Sequence, residues 1–228
     1  MIDRLRRSAA HVFVDDIEIP QVSDDDLHHL TRVLRIRESD EVSLSDGRGS
    51  WRVASITKDG TARPTTEVEK QVAPAWRTAV AFVPIKGEKP ELVAQKLTEI
   101  GVDDIVIVAS SQRQVVRWDE GRREKNMERL TKVVREAAMQ SRRTWLPSLQ
   151  VVDDVAMVAQ AGAAVAEPDG DDLDNSDRFL VVGPEGGFTE EELANFNRRV
   201  GLGDFVLRAE TAAIVAGVRL TDQRRRMS

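Results

Sequence analysis

Gly183-Pro184-Glu185-Gly186-Gly187-Phe188 is the stretch whose residue types best suit holding a ligand. Glycines accept positive φ and, lacking a Cβ, let a bound molecule come close to main-chain amides. The stretch follows the apolar run Phe179-Leu180-Val181-Val182 and precedes Thr189-Glu190-Glu191-Glu192-Leu193, so it reads as strand, turn and helix start. Thr189 with Glu192 three residues on forms a capping box, which satisfies two amide donors and fixes where the helix begins. No Gly-Lys-Ser/Thr follows, so this is not a P-loop, and it is not the GxGxxG dinucleotide fingerprint. Taken alone it is equally compatible with a tight βα turn that binds nothing.

Other chemistries are excluded or disfavoured by composition. The 228 residues contain no cysteine, which rules out disulfides, thiolate zinc sites and a cysteine nucleophile. The three histidines, His11, His28 and His29, all lie near the N-terminus, so no metal site is expected. No apolar run approaches a membrane-spanning length, and Met1-Ile2-Asp3-Arg4 lacks the apolar core of a signal peptide; a cytoplasmic protein is expected. The net charge of −6 is unevenly spread. Residues 153–177 carry eight acids and no Lys or Arg, leaving the rest of the chain at +2, and residues 76–152 sum to +4. A polyanion can meet such a basic face while the acidic segment stays in solvent.

The elements that position the turn fall into two parts. Residues 1–74 read as a small β-rich unit. A strand is predicted at 11–14, a helix capped by Ser23 through Leu27, Leu30 and Leu34, a hairpin around Asp46-Gly47-Arg48-Gly49, and a further strand at 65–69. From residue 75 the rhythm changes. The apolar runs 79–83 and 105–109 suit strands covered on both faces, and between them Pro90–Ile100 has helical spacing closed by Gly101. That βαβ unit marks a parallel sheet. A helix over 124–140 carries an apolar stripe and a basic side with Arg129, Lys132 and Arg135, followed by Arg142 and Arg143; this is either a solvated face or a phosphate-contacting one. A short strand at 163–166 runs into Glu167–Asp177, read as a solvated, mobile loop. A last strand is predicted at 203–208, then a helix from 212 and a frayed tail at Arg224-Arg225-Arg226.

Several stretches, in order, resemble one family. They are His29-Leu30 with Val33-Leu34-Arg35, Lys86-Gly87-Glu88-Lys89, Gln95-Lys96, Glu99-Ile100-Gly101-Val102, Ser111 with Arg113, Glu136-Ala137 with Gln140-Ser141, Arg143 and Pro147. Gly183–Gly187 and Leu207–Ala212 complete the series and are its most specific members. The chain resembles the RsmE family of 16S ribosomal RNA uracil-N3 methyltransferases, of the SPOUT superfamily. The resemblance implies an α/β fold in two domains: a PUA-like RNA-binding β-barrel over 1–74 and a parallel-sheet SPOUT methyltransferase domain over 75–228 with a C-terminal trefoil knot. It also implies S-adenosylmethionine as methyl donor, a homodimer, and the small ribosomal subunit as partner. Carried over residue by residue, the donor-binding positions are Ala166, Glu167, Gly183, Pro184, Glu185, Gly186, Gly187, Leu202, Leu207, Arg208, Glu210, Thr211 and Ala212. The acidic insert beside Glu167 and Pro168, and Ala209 where the family more often has threonine, depart from the pattern.

Methylation at N3 of uracil requires that the imide proton leave, so a base or a cation should lie within reach of the ring. Arg208 and Glu210 are the candidate catalytic pair, the arginine stabilising the uracil anion and the glutamate orienting the site. The alternative is that the two form a structural ion pair. RNA contacts are expected from Arg32, Arg35, Arg113, Arg135, Arg142 and Arg143, with the target uracil flipped out of its strand. Two other functions fit the same residues: a SPOUT methyltransferase with another RNA target, and a non-catalytic RNA-binding ribosome assembly factor.

Overall fold

The computed structural model describes residues 2–227. The chain divides into two compact units: the chain up to Pro74 together with Ala138–Leu146, and Ala75–Ala137 together with everything from Pro147 onward. A single boundary near residue 74 therefore leaves out the return of 138–146 to the first unit.

The first unit contains α1 (Ile2–Arg7), β1 (Ala10–Phe13), α2 (Asp24–His28), β2 (Val42–Ser45), β3 (Ser50–Ile56), β4 (Ala62–Pro64) and β5 (Glu69–Lys70). β1 lies parallel to β2, and β3 runs antiparallel to β2, β4 and β5. Val12, Val42, Leu44, Ala54 and Leu30 form its core. The β2–β3 hairpin forms where expected, because Asp46 Oδ1 accepts from the amides of Arg48 and Ser50 and Gly47 takes φ 71°. Ser23 caps α2 as expected, but the helix continues into a π-helical turn at His29–Val33 that leaves Leu34 exposed. The strand predicted at 65–69 is irregular at 65–68. Thr66 Oγ1 accepts from the Val53 amide at 2.9 Å and its carbonyl accepts from Arg52, so side-chain bonds replace the ladder there. The returning segment is bound tightly: Arg142, at φ 59°, donates to the Ser8 carbonyl at 2.7 Å, and Trp145 fills the space where Gly49 has no Cβ.

The second unit contains β6 (Ala79–Phe82), α3 (Lys89–Ile100), β7 (Asp104–Ser110), α4 (Glu120–Gln140, its last turn in the first unit), β8 (Ser148–Asp154), α5 (Val155–Gln160), β9 (Ala164–Asp171), β10 (Phe179–Val182), α6 (Glu190–Leu193), β11 (Arg199–Val200) and α7 (Ala209–Met227). Its six strands are all parallel, in the order β11-β9-β10-β6-β7-β8. Alternate residues face opposite sides. Val80, Phe82, Ile105, Ile107, Leu180 and Val182 pack with α3, α4 and α7, while Ala81, Val83, Val106, Val108 and Val181 pack with α5, α6 and Phe188. The continuous apolar runs follow from burial on both faces. Gly101 closes α3 at φ 104°. Gly217 lets α7 lie against α3, since a Cβ there would stand 2.6 Å from Leu97 Cδ2.

The acidic insert is not a mobile loop: β9 runs on to Asp171, and Asp171, Asp174 and Asp177 all bind Arg198. Residues 203–208 form no strand; the sheet edge is taken by Arg199–Val200, and the chain then leaves the sheet as a loop. Nor is the basic tail frayed: α7 runs through it, and Arg224 pairs with Asp103 while donating to the Gly101 carbonyl at 2.9 Å.

Candidate functional site

β10 ends at Val182 beside β9, with Leu180 opposite Ala164 and Val181 opposite Val165, while β9 runs on past it. In open parallel sheets the space beyond the carboxyl ends of the strands is where ligands bind. Here it is enclosed by three segments: Ala166–Pro168 on β9, Val182–Gly187 after β10, and the loop from Leu202 to Ala209 with Ala212 on α7. They surround a cavity of about 520 Å³. That lies in the range of cofactor sites.

The glycine-rich turn is held from behind. The capping box forms as read: Thr189 donates its amide to Glu192 Oε2 at 2.8 Å and accepts from the Glu192 amide. Glu192 is buried, which by itself raises its pKa, yet the Thr189 and Gln112 amides and the Thr189 hydroxyl together hold it below the usual carboxylate range. Gly183 has no room for a side chain, because the Phe188 ring lies 3.2 Å from where its Cβ would be. Gly187 takes φ 69°, and no atom lies within 4 Å of where a Cβ would stand, so it opens toward the cavity. Arg113 lies against this turn and donates to the carbonyls of Gly186 and Phe188 at 3.4 and 3.3 Å.

The charged residues on the cavity wall are Glu167, Glu185 and Arg208. Burial pushes the Glu167 carboxyl above its ordinary value. Lys89, at the start of α3, joins two of the three segments: its Nζ lies 2.9 Å from Glu210 Oε1 and 3.7 Å from Glu185 Oε1. The hydrogen bond from Lys89 holds Glu210 below the usual carboxylate range against the opposing effect of burial. Glu210 Oε2 is buried without a hydrogen-bond partner.

Ala166, Glu167, Gly183, Pro184, Glu185, Gly186, Gly187, Leu202, Leu207, Arg208 and Ala212 thus meet on one wall, whereas Glu210 and Thr211 are not on it. Glu210 pairs with Lys89, so the structural pairing of Arg208 with Glu210 is not what forms. Of the residues considered for RNA contact, Arg32 and Arg35 are exposed in the first unit, and Arg135 is half-buried on α4. Arg142 is bound to Ser8, with its pKa lowered by burial, and Arg143 donates to the Trp145 carbonyl. The expected positions did not include Pro168, Val182, Gly203, Ala209, Phe205 and Val206, which also line the wall. The last two looked like strand residues. Lys89 was missed because nothing in its spacing links it to acids about a hundred residues downstream.

The model of an RNA methyltransferase domain matches residues 73–220, and that of an RNA methyltransferase PUA domain matches residues 22–63. The ribosomal RNA small subunit methyltransferase E of Mycobacterium tuberculosis is 33% identical over 218 residues, covering 86% of this chain and 83% of the relative. The chain belongs to the small-subunit ribosomal RNA methyltransferase E family. The family member from Rickettsia conorii is 31% identical, covering 89% of this chain and 88% of its own. A solved family structure, from Neisseria gonorrhoeae and bound to S-adenosyl methionine, shares the fold with a TM-score of 0.74 at 23% identity, covering 93% of this chain and 97% of that one. The parallel-sheet domain preceded by a PUA domain is therefore the family's own two-part fold. Among the described residues no helix is long and apolar enough to cross a membrane.

Proposed function

We propose that the protein methylates N3 of a uridine in 16S ribosomal RNA with S-adenosylmethionine as donor, acting as a cytoplasmic homodimer on the small ribosomal subunit. The observation that carries this reading is the three-segment cavity at the end of β10 and alongside β9, in a chain of this family. The residues present suit the donor. Val182, Leu202, Leu207 and Ala212 offer apolar contact for a purine ring, and Glu167 and Glu185 offer carboxylates to a ligand that carries positive charge. S-adenosylmethionine, when bound, supplies a methyl group activated by its sulfonium.

The chain's own contribution is positioning and electrostatics. Gly187, with open space where a Cβ would stand, keeps main-chain groups of the turn within reach, and Gly183 lets the turn lie on the Phe188 ring. Arg208, exposed on the cavity wall, is the cation available to stabilise a uracil that has lost its N3 proton. Glu210, kept ionised by Lys89 behind the wall, orients the start of α7 and with it Arg208 and Ala212. The first unit, with Arg32 and Arg35 exposed, supplies contacts to the RNA backbone.

Arg208→Ala and Glu210→Gln, with donor affinity and turnover measured separately, test the assignment. Arg208→Ala is expected to lower turnover about a hundredfold with donor affinity changed less, as for loss of one group that stabilises a developing anion. Glu210→Gln is expected to weaken both. Unchanged turnover in both variants sinks the assignment. Nucleoside mass spectrometry of ribosomal RNA from cells lacking the protein tests the reaction: 3-methyluridine should disappear from the small subunit. Calorimetry with S-adenosylmethionine separates the enzyme from an assembly factor that has kept only the fold, which need not bind the donor.

A further inference from the structure

The acidic insert is bonded to the donor loop at both of its ends. Before the loop, Arg198 makes a two-pronged pair with Asp177, Nε to Oδ1 at 2.8 Å and Nη2 to Oδ2 at 3.0 Å, and donates to the Asp172 carbonyl at 2.7 Å. Asp174 and Asp171 lie farther off, at 3.1 and 3.5 Å. The Asp177 side chain is 3% exposed, whereas those of Asp174 and Asp171 are 55% and 83% exposed. The forked Asp177 pair therefore carries the interaction, since exposed pairs are weakened by water and salt. A little further on, the Gly201 amide donates to the Asp171 carbonyl at 2.8 Å. The backbones cross so closely here that a Cβ on Gly170 would stand 2.4 Å from the Val200 carbonyl carbon. After the loop, α7 reaches back: Arg219 donates to the Gly201 carbonyl at 2.9 Å, and Gln223 to those of Asp174 and Asp177 at 2.9 and 3.2 Å.

Between these anchors Leu202 and Leu207 pack on the core, while the tip of the loop is exposed. Phe205 and Val206 are 82% and 84% exposed, yet both line the cavity. A wall whose tip is exposed takes its position from the anchors and from those two leucines. We propose that the acidic insert is a brace that positions the donor loop, with Arg198 and Asp177 as positioning residues that act on the donor pocket through Val200 and Gly201. The inference rests on the donor-pocket reading and gives Asp177, among the acids of this segment, a role at the sheet edge.

The test compares the wild type with Arg198→Met, Arg198→Lys and Asp177→Asn in the full chain. Calorimetry with S-adenosylmethionine, donor KM and kcat, and hydrogen exchange are measured for each. Arg198→Met and Asp177→Asn should weaken donor binding about tenfold and raise donor KM in step, with kcat at saturating donor little changed, because a wall displaced by a fraction of an ångström costs binding before chemistry. Arg198→Lys keeps the charge but not the fork and should fall between. Exchange should quicken at the Gly201 amide, which bonds the Asp171 carbonyl, and in β11, and stay unchanged in β6 and β7. Donor affinity within about twofold of wild type in both Arg198→Met and Asp177→Asn overturns the brace. So does exchange that quickens equally in β6 and β7, which marks a general stabilising role. Failure of the wild type to bind S-adenosylmethionine overturns the pocket reading instead, and the exchange measurement, which needs no donor, still decides the brace.

Discussion

Lys89 does not itself line the cavity, yet it is the cation between Glu185 and Glu210, carboxylates from two different segments of the site. Removing it leaves Glu210, with a side chain only 14% exposed, without a side-chain donor on either oxygen. Lys89→Met should therefore let the Glu210 pKa return upward, and the acid limb of the turnover profile should move up with it. Donor affinity should fall about tenfold, and Lys89→Arg should restore part of it. A turnover profile identical to wild type would separate Lys89 from the site. A second residue-scale prediction concerns His11. Its Nε2 donates to the Arg143 carbonyl at 3.0 Å and its Nδ1 accepts from the Ser43 hydroxyl at 2.8 Å, so the neutral ring fits its surroundings. Burial lowers its pKa to about 4, with nearby Arg142 acting in the same direction and the Arg143 carbonyl against it. The unfolded chain, with an ordinary histidine, binds the proton first. Stability of the first unit is thus full above about pH 6.5, falls as pH drops, and levels off below about 4, for a total of about 3 kcal/mol. Denaturant titrations across that window check it, and His11→Gln should flatten the dependence.

At the scale of elements, close approach decides more than propensity does. Gly170 and Gly217 are both places where two elements touch through a missing side chain, but the neighbours differ. A methyl group at Gly170 meets the backbone of Val200 and Gly201, which cannot give way, whereas one at Gly217 meets the tip of Leu97 and the Val102 side chain. Gly170→Ala should cost roughly 3 kcal/mol and Gly217→Ala roughly 1 kcal/mol, read from thermal or denaturant unfolding. Equal effects would mean that the β9–β11 crossing is looser than its distances imply. The elements that the sequence announced were those with their own local signals: Ser23 and the Thr189–Glu192 box as caps, Gly101 as a C-cap, Asp46 and Gly47 in the hairpin. The misread ones were settled by neighbours. Residues 203–208 have strand-like composition, but Arg199–Val200 already pairs with β9, and the chain departs to form a cavity wall. Arg224 looked like part of a solvated tail until Asp103 and the Gly101 carbonyl supplied partners for it.

For the whole molecule the relevant quantity is where charge sits. The net charge of −6 conceals an acidic segment whose carboxylates are partly consumed by Arg198, and the first unit exposes Arg32 and Arg35. Binding to small-subunit ribosomal RNA should therefore weaken steeply with salt, and Arg32→Ala with Arg35→Ala should each reduce the slope of log affinity against log salt by about one. Binding unchanged between about 50 and 200 mM salt would remove the basic-face account. A parallel sheet, a second and β-rich part before it, and the family were legible in the sequence. The sheet rests on local patterns, apolar runs of strand length and capping residues, whereas the family and the wall positions rest on the resemblance carried by motifs in order along the chain. Only the tertiary structure decided that 138–146 returns to the first unit, that Lys89 joins Glu185 to Glu210, and that the acidic insert clasps Arg198. Those are pairings between residues from about twenty to more than a hundred positions apart, and the distance between two side chains in space leaves no trace in the spacing between them along the chain.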